Sequence, residues 1–308
     1  MDVFFEIVLN VNLPVFSLIA IGVYLHRKFS FDLATLAKLN TYLLMPAVSF
    51  ANIYESKLSA DLIMTVMGFL VIQNLLLMGV SSGISKAFKF ERGLSSTFKN
   101  SVVLSNSGNF GLPVSQLVFQ HNPLGMSIQI IVMIFQNLLT YTYGLFNSVS
   151  SERKGFQALL LFAKNPVLYA FLAGMFLQVT SITIPEFIWS PIENTSNAFL
   201  AIALITLGAQ SAFLKFNKLC TPLVLSVLGR LVLSPCIAFI IILLINLEGT
   251  IAQALFIASS FPTSRNSALF ALEYDNHPEF AAQAVLLTTG CSMVTVTTIV
   301  YVSELLFV

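Results

Sequence analysis

Charged side chains are scarce in this chain. Asp, Glu, Lys and Arg make up 9% of its 308 residues, against about 25% in a typical soluble domain. The formal net charge is only +1, so the sequence offers no basic surface of the kind that binds nucleic acid. Hydrophobic residues reach 56% instead. This balance indicates an integral membrane protein that contacts the lipid bilayer and has no nucleic-acid partner.

Residues that bind metals or perform covalent catalysis are also few. The three cysteines, Cys220, Cys236 and Cys291, form no CxxC pair, and we interpret them as small apolar residues. The three histidines have no metal-ligand spacing to one another or to a cysteine. No HExxH motif, midplane aspartate pair or serine–histidine constellation is present. The sequence therefore predicts no metal, no cofactor and no enzyme.

Long apolar runs fill most of the chain. A membrane-spanning helix needs roughly 20 mostly apolar residues. The N-terminal residues lack the basic region of a cleavable signal, so we expect the first run to be retained as a span. The predicted spans are about 5–25, 36–54, 62–85, 97–120, 125–148, 165–182, 192–214, 221–245, 251–274 and 281–306. The sequence thus predicts an all-α integral membrane protein with ten transmembrane helices.

The distribution of Lys and Arg orients these spans. Lys and Arg residues follow spans one, three, five and seven, whereas Lys57 is the only Lys or Arg in the loops after the even-numbered spans. Because loops rich in Lys and Arg face the cytoplasm, we predict that the odd-numbered loops are cytoplasmic. Both termini are then outside, in a multi-pass protein of a cell membrane.

Two of the predicted spans contain polar residues, glycine and proline in their middle. Span four contains NSGNFGLP at 106–113, and span nine contains SSFPTSRN at 259–266. Each freed backbone group costs several kcal/mol in hydrocarbon, so such helices must break inside the protein. A matched pair of interrupted spans is typical of the substrate site of a secondary transporter.

The positions of the two breaks predict an internal repeat. Pro113 and Pro262 are about 150 residues apart, close to half of the chain. Each half has five predicted spans and is broken in its fourth. Because five is odd, the second half enters the membrane from the opposite side. We predict two inverted five-helix repeats, residues 1–150 and 165–308, with a cytoplasmic linker at 151–164 and with helices 4 and 9 broken where they cross.

The residues at the two breaks form the predicted substrate site. Two half-helix N-termini that face one point carry partial positive charge, which favours an anion such as a carboxylate. A lone proline in a membrane helix often reflects packing only, and it is the paired position that favours a functional site. The candidate binding residues are Asn106, Ser107, Gly108, Asn109, Gly111, Pro113, Pro262, Thr263, Arg265 and Asn266.

Two arginines are predicted to lie within spans. Arg265 is near the middle of span nine, where a charge costs at least about 2.5–3.5 kcal/mol and must face the interior. Its guanidinium is expected to pair with a substrate carboxylate, to take the place of a coupling sodium ion, or to brace backbone carbonyls. Arg230, in span eight, is expected to extend towards the cytoplasmic interface as a structural residue. No Asp or Glu lies at mid-membrane, so proton coupling through a midplane carboxylate has no support.

At these segments the chain resembles the auxin efflux carrier family, in particular its bacterial branch, which is related to the plant PIN transporters. The sequence at 106–113 is the most specific part of the resemblance. Other similar segments are LNTYLLMP at 39–46, LGAQ at 207–210, PTSRN at 262–266 and EYD at 273–275. The resemblance implies a scaffold subdomain, a transport subdomain with an elevator-like movement, and a homodimer. It also implies that Asn109, Pro113, Pro262 and Asn266 shape the crossover and contact the carboxylate.

The sequence therefore predicts a secondary transporter for a small organic anion, such as a mono- or dicarboxylate. The family carries auxin in plants and malate, malonate or related carboxylates in bacteria. The long cytoplasmic loop of the plant proteins is replaced here by the short segment 151–164, which favours a small metabolite and a bacterial plasma membrane. A sodium-coupled symporter of the bile-acid-transporter type and a non-transporting membrane sensor with the same fold are the alternatives.

Overall fold

Helices account for almost all of the described chain. The computed structural model describes residues 9, 13–55, 59–148, 166–212 and 219–307. The helices are α1 (Leu13–Phe29), α2 (33–55), α3 (Ala60–Ala87), α4a (Arg92–Val103), α4b (107–118), α5 (Pro123–Ser148), α6 (Pro166–Thr180), α7 (Glu186–Ser211), α8 (Thr221–Leu244), α9a (Gly249–Ser259), α9b (Arg265–Glu273) and α10 (Pro278–Phe307). Each range that was predicted as a span contains a helix. The predicted linker at 151–164 and the beginning of the first span lie outside the described residues.

The longest helices are suited to a lipid environment. Five of the helices in the described ranges, α3, α5, α7, α8 and α10, are long and apolar enough to cross a membrane. Large apolar side chains remain exposed on them, such as Leu75 at 61%, Leu244 at 75% and Val294 at 69%. Lipid tails cover such surfaces without the free-energy cost that water imposes. The prediction of an all-helical membrane protein is confirmed.

The helices are arranged in two bundles. The first bundle consists of α1, α2, α6 and α7, and the second bundle consists of α3, α4a, α4b, α5, α8, α9a, α9b and α10. The first bundle therefore holds the first two helices of each predicted half, and the second bundle holds the last three. Helix α7 contacts α4b, and α2 contacts α5, so these helices form the interface between the bundles.

Two glycines bring α1 and α7 into close contact within the first bundle. A Cβ atom on Gly22 would lie 2.1 Å from the carbonyl oxygen of Ile205, and one on Gly208 would lie 2.0 Å from that of Ile19. Each glycine thus faces the backbone of the other helix. Small residues at such contacts allow membrane helices to pack at short range.

Four π-helical turns widen helices of the described chain. They are Asn40–Leu44 in α2, Ser107–Gly111 in α4b, Thr140–Gly144 in α5 and Gly229–Leu233 in α8. In three cases a proline, Pro46, Pro113 or Pro235, is the second residue after the turn. Proline cannot donate a helical hydrogen bond and its ring crowds the preceding turn, which accounts for the local widening. Because π-helical turns often lie at functional sites, the positions of these turns indicate a functional region beside the two breaks.

Candidate functional site

The break between α4a and α4b, which together form helix α4, meets the break between α9a and α9b, which together form helix α9, where the two helices cross. Ser105 and Thr263 form an isolated antiparallel bridge between them. The flanking hydrogen bonds, each 2.8 Å long, run from the N–H of Asn106 to the carbonyl of Pro262 and from the N–H of Ser264 to the carbonyl of Leu104. Backbone groups that one break frees are therefore paired by the other break, which avoids the cost of leaving them unpaired in an apolar interior.

Several of the predicted site residues hold this crossing together. A Cβ atom on Gly111 would lie 2.5 Å from the ring of Phe261, so glycine lets that ring pack directly on the backbone of α4b. The rings of Phe110 and Phe261 pack edge to face, with centroids 6.2 Å apart. The hydroxyl of Thr263 donates to the carbonyl of Ser101 over 2.7 Å. These contacts fix the relative position of the two breaks.

A polar cavity of about 150 Å³ lies beside the crossing. Six of the ten predicted site residues line it: Asn106, Ser107, Gly108, Asn109, Arg265 and Asn266. The other four, Gly111, Pro113, Pro262 and Thr263, are buried and do not line it.

The structure adds cavity residues that are not among the ten candidate binding residues. They include Thr41 of α2, Ser264 of the second break, and Gln136, Asn137, Thr140 and Tyr141 of α5. The π-helical turns of α2 and α5 contribute Thr41, Thr140 and Tyr141. The adjacent amides Gln136 and Asn137, within a predominantly apolar span, are the sequence signal that marks this wall of the cavity.

Among the described residues that line the cavity, only Arg265 is charged. Its Nε atom is buried without a hydrogen-bond partner, and no carboxylate of the described chain forms an ion pair with it. Arg265 begins α9b, directly after Ser264, whose side chain caps the helix by accepting from the N–H of Asn266 over 3.3 Å.

A second unpaired donor lies on the opposite break. The side-chain Nδ2 of Asn106 is buried and has no hydrogen-bond partner, and the residue is only 5% exposed. Helix α4b begins immediately after it, at Ser107. The N-terminal ends of α4b and α9b therefore both lie at the cavity, and both contribute partial positive charge to it.

Bracing of backbone carbonyls was one of the roles expected for Arg265. In the structure, Arg230 on α8 makes such contacts. It is only 2% exposed, and its guanidinium donates to the carbonyl of Val102 over 3.0 Å and to that of Ser259 over 2.6 Å. These carbonyls belong to the C-terminal ends of α4a and α9a. The expectation that Arg230 extends towards the membrane interface is wrong, because the two breaks offer it unpaired carbonyl oxygens inside the protein.

A comparison with known protein families now identifies the class of protein. A family model described as "Membrane transport protein" matches residues 7–159 and residues 154–300. The chain belongs to this family. It is the family of the auxin efflux carriers and PIN-like proteins, so the resemblance to the auxin efflux carrier family is confirmed. This membrane transport protein is thus a multi-pass transporter. The comparison with curated proteins gave no match.

A second cavity of this membrane transport protein lies between the first and the second bundle. Its volume is about 390 Å³, and its lining includes Asn52 and Glu55 of α2 and Glu193 of α7. Met45 of α2 lines the cavity at the crossing. Glu55 follows Met45 by ten positions, which corresponds to about 15 Å along the helix axis. The two cavities therefore lie at different depths along the interface of the bundles.

Proposed function

We propose that this protein is a secondary transporter that carries a small organic anion, a mono- or dicarboxylate, bound at the crossing of α4 and α9. The observation that carries the proposal is the guanidinium of Arg265, which lines a polar cavity and pairs with no carboxylate of the described chain. A carboxylate forms two parallel N–H···O bonds with such a group. The N-terminal ends of α4b and α9b favour an anion at the same place.

The cavity size favours small acids. An apolar cavity of about 150 Å³ is known to hold a ligand of about six non-hydrogen atoms, and the cavity at the crossing has about this volume. Malonate and malate are close to this size, whereas an indole-based acid such as auxin is about twice as large. We infer that the substrate is a small metabolite carboxylate.

The packing supports two inverted five-helix repeats and ten membrane spans. The antiparallel sense of the Ser105–Thr263 bridge means that the chain runs in opposite directions through the two breaks, as inverted repeats require. Each half also contributes its first two helices to the first bundle and its last three to the second. In this arrangement the odd-numbered loops are cytoplasmic and both termini are outside. The short segment 151–164 fits a protein of a bacterial plasma membrane.

The two bundles suggest how the substrate crosses the membrane. We infer that the first bundle is a scaffold and that the second bundle, which holds both breaks, moves past it like an elevator. The two cavities at different depths along their interface fit a path that opens in turn to each side. Alternating access through the rigid-body movement of one bundle against the other is the general mechanism of such carriers.

A covalent link between the bundles tests the elevator movement. The hydroxyl of Ser127 in α5 donates to the carbonyl of Asn52 in α2 over 3.2 Å, so cysteines at these positions are close across the interface. In a variant lacking the three native cysteines, we expect the Asn52→Cys/Ser127→Cys pair to lose most uptake on oxidation and to regain it on reduction. Each single variant is the control. Undiminished uptake by fully cross-linked protein would contradict the movement.

Ligand binding to the purified protein tests the proposed site. A ligand at 100 times its Kd stabilises the folded state by about 2.7 kcal/mol, which thermal unfolding detects. We expect malonate or malate to raise the midpoint, and their uncharged diamides to leave it unchanged. Equal stabilisation by the acids and the amides would contradict an anion site.

The Asn106→Ala variant locates the bound anion. Because a hydrogen bond to a charged group contributes about 1.5–3 kcal/mol, this change should weaken carboxylate binding by about 10-fold or more. The matched control is Asn194→Ala, on the exposed surface of α7, which should bind like the unmodified protein. If both variants keep the original affinity, the anion does not contact the break of α4.

A further inference from the structure

Two helix ends converge on the guanidinium of Arg230. Its Nη1 donates to the carbonyls of Val102 and Val103, over 3.0 and 3.4 Å, at the end of α4a. Its Nη2 donates to the carbonyl of Ser259, over 2.6 Å, at the end of α9a. One side chain from a third helix therefore binds the carbonyl ends of both half-helices that precede the breaks.

The position of the guanidinium is fixed by its neighbours. Ser234, one helical turn further along α8, accepts from Arg230 Nη2 over 2.7 Å and donates to the carbonyl of Ser259 over 2.8 Å. A Cβ atom on Gly229 would lie 2.9 Å from the side chain of Val102, so glycine allows α8 to approach α4a closely. The π-helical turn Gly229–Leu233 contains both Gly229 and Arg230. This part of α8 therefore holds a cation at the crossing.

The charge at this point is balanced by helix ends. The C-terminal end of a helix carries partial negative charge, equivalent to about half an elementary charge. No carboxylate in the described part of the chain pairs with Arg230, so the carbonyl ends of α4a and α9a are its counter-charge. In broken membrane helices, such carbonyl ends are the groups that coordinate sodium ions or protons.

We propose that Arg230 is the built-in cation of the crossing, in the position that a coupling metal ion would take at the two helix ends. It acts as a positioning residue, because it joins α4a to α9a and thereby keeps the N-terminal ends of α4b and α9b at the substrate cavity. The folded crossing consequently needs no sodium ion. Transport by such a protein takes its driving force from a source other than a sodium ion bound between these carbonyls.

Thermal unfolding of the full-length, ligand-free protein tests the proposal. The midpoint of the unmodified protein should be the same in sodium, potassium and N-methylglucamine chloride at equal ionic strength. Arg230→Ala should lower the midpoint by about 5–10 °C. Millimolar guanidinium chloride should restore several degrees in this variant, because the free ion replaces the missing side chain, whereas urea, which is similar in shape but uncharged, should restore none.

A second pair of variants separates charge from packing, and it applies even if Arg230→Ala fails to fold. Arg230→Lys keeps a cation of reduced reach, and Arg230→Met keeps similar bulk without charge, so we expect the lysine variant to be the more stable of the two. Equal stability of these variants, equal effects of guanidinium and urea, or a sodium-dependent midpoint in the unmodified protein would each overturn the proposal. Because no substrate is added, a failure here is distinct from a failure of the proposed carboxylate site.

Discussion

Replacing Arg265 with Gln should weaken carboxylate binding by at least about 30-fold and leave the protein folded. Removing one partner of a buried, hydrogen-bonded charge pair costs about 2–5 kcal/mol, which corresponds to this factor or more. The fold should survive because the Nε of Arg265 has no hydrogen-bond partner and no carboxylate of the described chain pairs with it. Titration of the purified variant with malonate or malate, followed by thermal unfolding, measures both effects.

Two further variants sharpen this prediction. Arg265→Lys keeps the charge but loses the planar fork that binds both carboxylate oxygens, so its affinity should be intermediate. Arg92→Gln makes the same change at an exposed arginine of α4a and should bind like the unmodified protein. Unchanged affinity in Arg265→Gln would rule out the pairing of this residue with the substrate. Arg230 and Arg265 should also differ in their effect on stability: the ligand-free protein loses stability without Arg230 but not without Arg265.

Replacing Gly208 with Ala should severely destabilise the first bundle. The added Cβ atom would lie 2.0 Å from the carbonyl oxygen of Ile19, and this neighbour is backbone, which cannot rotate away. Helices α1 and α7 must then separate. Overpacking of this kind typically costs about 1–3 kcal/mol, occasionally more, which lowers the midpoint of thermal unfolding by about 2–5 °C at this chain length.

A glycine in open space provides the control for this change. A Cβ atom on Gly290 of α10 would meet no atom within 4 Å. Alanine is favoured over glycine within helices by up to about 1 kcal/mol, so Gly290→Ala should keep or slightly raise the midpoint. Thermal unfolding and the yield of monodisperse protein after detergent extraction measure both variants. Similar midpoints for the two alanine variants would contradict the close packing of α1 and α7.

The breaks and Arg265 could be predicted from the sequence because the bilayer makes them costly. Polar residues, glycine and proline in the middle of an apolar span have few structural explanations, and their paired positions pointed to one site. The same reasoning placed Arg265 in the interior, where it lines the cavity. Local sequence was sufficient here because polar residues, glycine and proline are rarely tolerated in the middle of a membrane-spanning helix.

The role of Arg230 could not be predicted in this way. Its partners Val102 and Ser259 lie 128 and 29 residues away in the sequence, and nothing in the composition of α8 indicates that two helix ends converge there. Pro262 and Thr263 illustrate a related limit. Sequence marks them as part of a break, but only the three-dimensional arrangement tells that they pair with the other break while Arg265 and Asn266 face the cavity.

The most direct test of transport at the crossing is uptake of radiolabelled malonate into proteoliposomes that contain the unmodified protein or Arg265→Gln. We predict saturable uptake by the unmodified protein, above that of protein-free liposomes and reduced by unlabelled malate, with the variant at background. Binding of malonate or malate to the folded protein without uptake would contradict a carrier and indicate a membrane sensor. Equal uptake by the unmodified protein and the variant would contradict a substrate site at Arg265.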